Sequence, residues 1–126
     1  MRIIFVGLHN KPNMLPLDSL TKSGKLIDRI IKELPGIETI KSNLFNCNGI
    51  PHKDYHYKYR DEWYNTYSPT TDDVIVLLGA MTHKNFIHNP QVRGVIKIAH
   101  PASKRSHIEM NKYVNDTTAK IKSYFL

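Results

Sequence analysis

His100-Pro101 closes an apolar run, Val92–Ala99, and opens the basic, hydroxyl-bearing stretch Ala102-Ser103-Lys104-Arg105-Ser106. A proline directly behind a histidine restricts where the imidazole can go. A nearly neutral imidazole held at a strand end can donate a hydrogen bond to a developing anion. Ser103, Lys104 and Arg105, just ahead of a helix N-terminus, form an arrangement suited to phosphate. Near the start of the chain, Gly7 allows a sharp exit from a buried strand. His9 and Asn10 then offer a base and an amide able to orient a water, and Pro12 and Pro16 stiffen the loop behind them. Asn43 is the third candidate, a polar residue in the apolar stretch Glu38–Phe45. Its side chain carries a donor and an acceptor side by side, so it can read a pyrimidine edge or tie down a neighbouring loop.

These residues share one property: each follows or ends a segment that reads as a strand. Arg2–Val6, Glu38–Phe45, Asp73–Leu78 and Val92–Ala99 are short and apolar, and the first and third are nearly continuous Ile, Val, Leu and Phe. That is the pattern of strands covered on both faces, which are usually parallel. Helical spacing lies between and after them. Leu26, Ile27, Ile30, Ile31 and Leu34 form one stripe that Pro35-Gly36 stops. A shorter helix is expected over Met81–His88. A last one opens at Ser106-His107-Ile108-Glu109, a capping-box pattern, and carries Met110, Tyr113, Val114, Thr117, Ile121 and Tyr124. Strands alternating with helices predict an α/β fold of three layers, αβα, around a central, mostly parallel four-stranded sheet with right-handed crossovers. In such sheets ligands bind at the carboxyl ends of the strands, where the candidate residues fall.

The chain has 126 residues, enough for one core, and reads as a single domain over 1–126. Its formal charge of +7 favours a polyanionic partner such as nucleic acid, although a bias towards Lys, Asn and Ile would raise the charge equally. One cysteine, Cys47, cannot form an internal disulfide or supply the thiolates of an iron–sulfur cluster or structural zinc. With no signal peptide and no segment of transmembrane length, a cytoplasmic protein off the membrane is expected. From Ile50 to Pro69, six aromatic residues alternate with basic ones. This suits a nucleic-acid surface, or a helix and loop whose rings cover one sheet face; the second reading is preferred. His52 and His56 have metal-compatible spacing but lack a third ligand, so no metal is expected.

Taken together, IIFVGLHNKP, IKSNLFNC, VIVLLGA and VIKIAHPAS resemble, in order and over nearly the whole chain, the four strand-end motifs of the uracil-DNA glycosylase superfamily. The run PLDSLTKSGKLIDRI is also similar to the segment after the first motif in shorter members. The resemblance implies a DNA glycosylase that flips a deaminated base out of DNA and hydrolyses its N-glycosidic bond without a cofactor. It implies that His100 stabilises the departing uracil anion, that Asn43 reads the flipped base, and that His9 or Asn10 positions the water. Gly7, Leu17 and Phe45 would complete the base pocket. Pro101, Ser103, Lys104 and Arg105 would press on the DNA. Members usually carry Asp, Glu or Asn two residues after the glycine, where this chain has His9, and many stack a phenylalanine where it has Leu17. Cys47 stands without the companions of cluster-bearing members, and the chain is shorter than most members, which favours weak binding or single-stranded DNA. A monomer is expected. Two alternatives stand beside this reading: a DNA-binding module whose catalysis has lapsed at the altered first motif, and a hydrolase of free nucleotides or nucleosides using the same pocket.

Overall fold

The computed structural model describes residues 1–125. Strand β1 (Arg2–Asn10) leads into helix α1 (Lys22–Lys32), and β2 (Glu38–Asn48) is followed by a 3₁₀ turn (Lys53–Tyr55) and α2 (His56–Tyr67). Then come β3 (Val74–Leu78), α3 (Ala80–Asn85), β4 (Gly94–Ile98), a second 3₁₀ turn (Pro101–Ser103) and α4 (His107–Lys122). All three strand pairings are parallel and the order is β2-β1-β3-β4. The expected three-layer α/β architecture is what forms. The sheet is parallel throughout.

The near-continuous apolar strands bury both faces. Ile3, Phe5, Val74, Val76, Leu78, Ile96 and Ile98 pack against α1 and α4 through Leu26, Ile27, Ile30, Tyr113, Val114 and Ile121. The alternate residues Ile4, Val6, Ile75 and Leu77 face α2 and α3, meeting Trp63 and Phe86. The stretch Ile50–Pro69 is therefore the helix that covers one sheet face, anchored by Trp63, whose Nε1 donates to Ser42 Oγ at 2.9 Å. Tyr55 and Tyr57 stay exposed. Ser106 caps α4 as expected, accepting from the Glu109 amide at 3.1 Å.

Strand lengths depart from expectation at the site. β1 runs through Gly7 to Asn10 instead of turning at Gly7, because β2 continues alongside it. The pairing is Gly7 with Asn43, His9 with Phe45 and, after a bulge, Asn10 with Asn48. Connections from β1 and β3 diverge to opposite sides of the sheet, so the crevice of a doubly wound sheet opens above their carboxyl ends.

At the opposite end, Arg2 clamps β1 to β3. Its guanidinium donates to both carboxylate oxygens of Asp73, at 3.2 and 2.8 Å, and to the Tyr67 carbonyl at 2.9 Å. Burial alone would raise the Asp73 pKa. The bonds from Arg2 and the Thr70 amide outweigh it and hold the carboxyl below its usual range. The resulting stabilisation is present in full above the ordinary carboxylate pKa of about 3.9 and is lost as pH falls through the lower folded-state value. Asp73→Asn should cost roughly 3 kcal/mol, since it leaves a partly buried guanidinium without its charge partner. Urea titration at pH 7 and pH 3 checks this: the deficit should be large at neutral pH and shrink on acidification.

Candidate active site

The site is assembled from the two ends of the chain. Tyr113 of α4 donates from its hydroxyl to the Ala99 carbonyl at 2.6 Å and so fixes the exit of β4. His83 Nε2 lies 3.0 and 2.9 Å from the Leu77 and Ile98 carbonyls and ties the ends of β3 and β4 together. His100 then lies over Gly79. That residue has φ +90, and a Cβ there would stand 3.4 Å from the His100 Cβ. The following turn is rigid: Ser103 donates to the His100 carbonyl from its amide at 3.0 Å and its hydroxyl at 2.7 Å.

On the other side, the loop after β1 is braced by Asp18. Its two carboxylate oxygens accept from the amides of Leu15 and Leu20 at 3.1 and 2.9 Å. Those two amides hold the Asp18 carboxyl below its usual pKa, so it is ionised. Lys41 Nζ donates to the Leu17 carbonyl at 2.9 Å. Leu17, buried and in the left-handed region at φ 49, turns its side chain under the loop.

Between these supports lies a cavity of about 170 Å³ whose walls include Gly7, His9, Leu17, Asp18, Asn43 and His100. That is smaller than the roughly 300–1,000 Å³ of drug-sized pockets and leaves room for a small group only. Gly7 is required here for a reason other than a turn. A Cβ at that position would stand 2.5 Å from Asn43 Oδ1, so the bare backbone of β1 is what lets the Asn43 amide lie against it.

The two histidines present opposite faces. The His100 Nδ1 accepts from the Ala102 amide at 3.2 Å, so a neutral ring carries its proton on Nε2 and is a donor there. The His9 Nδ1 lies 2.9 Å from the Asn10 carbonyl, which can only accept. His9 therefore donates through Nδ1, and its Nε2 is left with a lone pair. Desolvation by the surrounding walls, and then the positive charge of Lys11, lower the His100 pKa and keep the ring neutral at physiological pH.

Several expected site residues are placed elsewhere. Asn10 does not line the cavity. Its Oδ1 accepts from Asn43 Nδ2 at 2.8 Å, and its own Nδ2 donates to Asn46 Oδ1 at 2.8 Å. Phe45 is fully buried on the α2 side, stacked on His56 with ring centroids 4.6 Å apart, and cannot touch a ligand in the cavity. Pro101 is buried, and the Ser103 hydrogen is spent within its own turn, so neither is free to press on or donate to DNA. Lys104 lies 5.9 Å from the Tyr113 ring centroid and Arg105 is exposed, which leaves both cations at the surface. His56 is engaged by the Pro51 carbonyl and the Asn85 side chain rather than paired with His52. Among the described residues no group of three or more His, Cys, Asp or Glu is placed to hold a metal, and no helix is long and apolar enough to cross a membrane.

Asp18 and Lys11 are the wall residues that a linear reading passes over. The signal was present in Asp18-Ser19-Leu20-Thr21, where an aspartate ahead of the helix-capping Thr21 marks a braced turn. A larger hollow of about 380 Å³ lies across Asn43, between Pro16 and α2. Neither His9 nor His100 is among its walls, so the two histidines meet Asn43 only in the smaller cavity.

No protein-family model matches the chain, and no curated protein matches it in sequence.

Proposed function

We propose that this protein is a DNA glycosylase that hydrolyses the N-glycosidic bond of uracil or a related deaminated base. The observation that carries the reading is the convergence of His9, Asn43 and His100 on one small cavity, with the histidines held as acceptor and donor respectively. Cleaving an N-glycosidic bond heterolytically sends the bonding pair to the base and leaves a cationic sugar. The cavity is polarised to match. Lys11 is the positive charge felt at His100, where the Nε2 proton meets a base carbonyl gaining negative charge. Asp18, ionised and electrostatically close to Lys41 and Asp28 instead, supplies a negative wall suited to the sugar.

In this reading Asn43 recognises the edge of the flipped base, and His9 Nε2 accepts the proton of the water that adds to the sugar carbon. Leu17 closes the cavity floor, and Asn10 serves to hold Asn43. The released base anion takes up a proton, so the balance is a hydrolysis that uses no cofactor. The net charge of +7, with Lys11, Lys104 and Arg105 around the strand ends, supports DNA as the polyanion. The absence of a phenylalanine over the cavity fits a substrate whose base is already unstacked, as in single strands.

The test is a panel of oligonucleotides carrying uracil, hypoxanthine, xanthine or 5-substituted uracils, with free uridine alongside, scored by chromatography of released base. Release from the oligonucleotides supports the reading. Release from uridine alone would replace it with a nucleoside hydrolase, and salt-sensitive DNA binding with no release would replace it with a binding module.

A further inference from the structure

Asn43, Asn10 and Asn46 form a one-directional chain of amides. Asn43 Nδ2 donates to Asn10 Oδ1 at 2.8 Å, and Asn10 Nδ2 donates to Asn46 Oδ1 at 2.8 Å. An amide that accepts through its oxygen on one side must donate through its nitrogen on the other, so the sense of the chain is shared by all three groups. At the cavity end, Asn43 is 8% exposed, and its Oδ1 accepts no hydrogen bond among the described residues. At the far end, Asn46 is exposed and, among the described residues, has no second partner to fix which way its amide points. Reversing all three amides would satisfy the same two hydrogen bonds and turn Asn43 Nδ2, rather than Oδ1, towards Gly7. Asn43 Oδ1 lies 2.5 Å from where a Gly7 Cβ would stand, facing a backbone C–H that accommodates an oxygen better than an N–H, which favours the sense described.

Resting on the base-pocket reading of this cavity, we propose that Asn10 and Asn46 are specificity-setting positioning residues. The sense of their amide chain decides whether Asn43 offers the ligand an acceptor or a donor. In the observed sense the cavity pairs the Asn43 acceptor with the His100 Nε2 donor. A ring with an N–H next to a carbonyl satisfies both, as in the imide of uracil or the lactam of hypoxanthine. A ring with an unprotonated nitrogen at that place, as in cytosine or adenine, sets a lone pair against Asn43 Oδ1 and is rejected. Selection against amino bases thus depends on a residue that touches no ligand in the cavity.

Two substitutions at exposed Asn46 drive the chain in opposite senses. Asn46→Asp can only accept, which locks the observed sense. Asn46→Lys can only donate, so Asn10 and then Asn43 must reverse. The first readout needs no ligand: a nuclear Overhauser contact between the Asn43 side-chain amide hydrogens and the Gly7 α-hydrogens. It should be weak or absent in wild type and Asn46→Asp and appear in Asn46→Lys. The second is titration with free uracil and free cytosine, followed by the Gly7 and Ala102 amide shifts. Preference for uracil should hold in Asn46→Asp and fall at least about tenfold in Asn46→Lys, the order expected for a buried acceptor facing a lone pair. The same Overhauser pattern in all three proteins would overturn the chain. A reversed pattern with uracil still preferred, or with no uracil binding in any of the three, would overturn its role in specificity. Neither readout requires bond cleavage, so a protein that excises nothing still answers the question, and the glycosylase reading is judged separately.

Discussion

His100→Ala is expected to slow base excision by about 10²–10³-fold while leaving DNA affinity nearly unchanged, because it removes one preorganised donor from a developing anion. The size of the effect depends on how firmly the donor is held. His100 is seated over Gly79, its Nδ1 is committed to the Ala102 amide, and the strand exit beneath it is pinned by Tyr113. A neutral ring so placed does not reorganise during the reaction. Single-turnover excision measured beside a filter-binding isotherm separates the two quantities. A loss of affinity equal to the loss of rate would make His100 a DNA-binding residue instead.

Gly7→Ala should have the second largest effect and should fall on the site rather than the fold. The added methyl stands 2.5 Å from Asn43 Oδ1, so the Asn43 side chain must swing away and give up its bond to Asn10. Because the displaced atom is the end of a side chain, folding should lose only about 1–2 kcal/mol, the order of one hydrogen bond. Base recognition, which needs the amide in place, should drop by roughly 10–100-fold in kcat/KM, the equivalent of about 1.4–2.7 kcal/mol. Thermal denaturation and kcat/KM on one oligonucleotide check the pair of values. A destabilised Gly7→Ala protein with unchanged kcat/KM would mean that Gly7 matters only for packing.

Much of the fold was legible because fully buried parallel strands announce themselves as continuous apolar runs. Val74–Leu78 is the clearest case. The ends of β1 and β2 were not legible for the same reason. Beyond Val6 and Phe45 the residues are polar, and what keeps the strands going is pairing to one another, which no local pattern records. That error had a consequence for the site. With β1 continued to Asn10 and a bulge after His9, His9 lines the cavity and Asn10 bridges Asn43 and Asn46.

Phe45 was misplaced by a related effect. Near the irregular end of the β1–β2 pairing, it joins the core beneath α2, a helix whose sequence carries little amphipathic signal because only Trp63 is buried. Asp18 was passed over because its role needs the loop to return on itself, with Leu15 and Leu20 brought to one carboxylate. By contrast, Gly7, Asn43 and His100 were identifiable from chemistry at strand ends, and the cavity wall contains all three. That His9 and not Asn10 lines the cavity depends on the irregular end of the β1–β2 pairing, which the local sequence does not record.

The central claim is that this cavity excises a base from DNA. Its most direct test is single-turnover treatment of a single-stranded oligonucleotide carrying one uracil, with protein in excess, followed by alkali. The account predicts strand scission at the uracil by the wild-type protein, none in the thymine control, and scission slowed by about 10²–10³-fold in His100→Ala. An intact uracil strand after exposure to folded wild-type protein would contradict it.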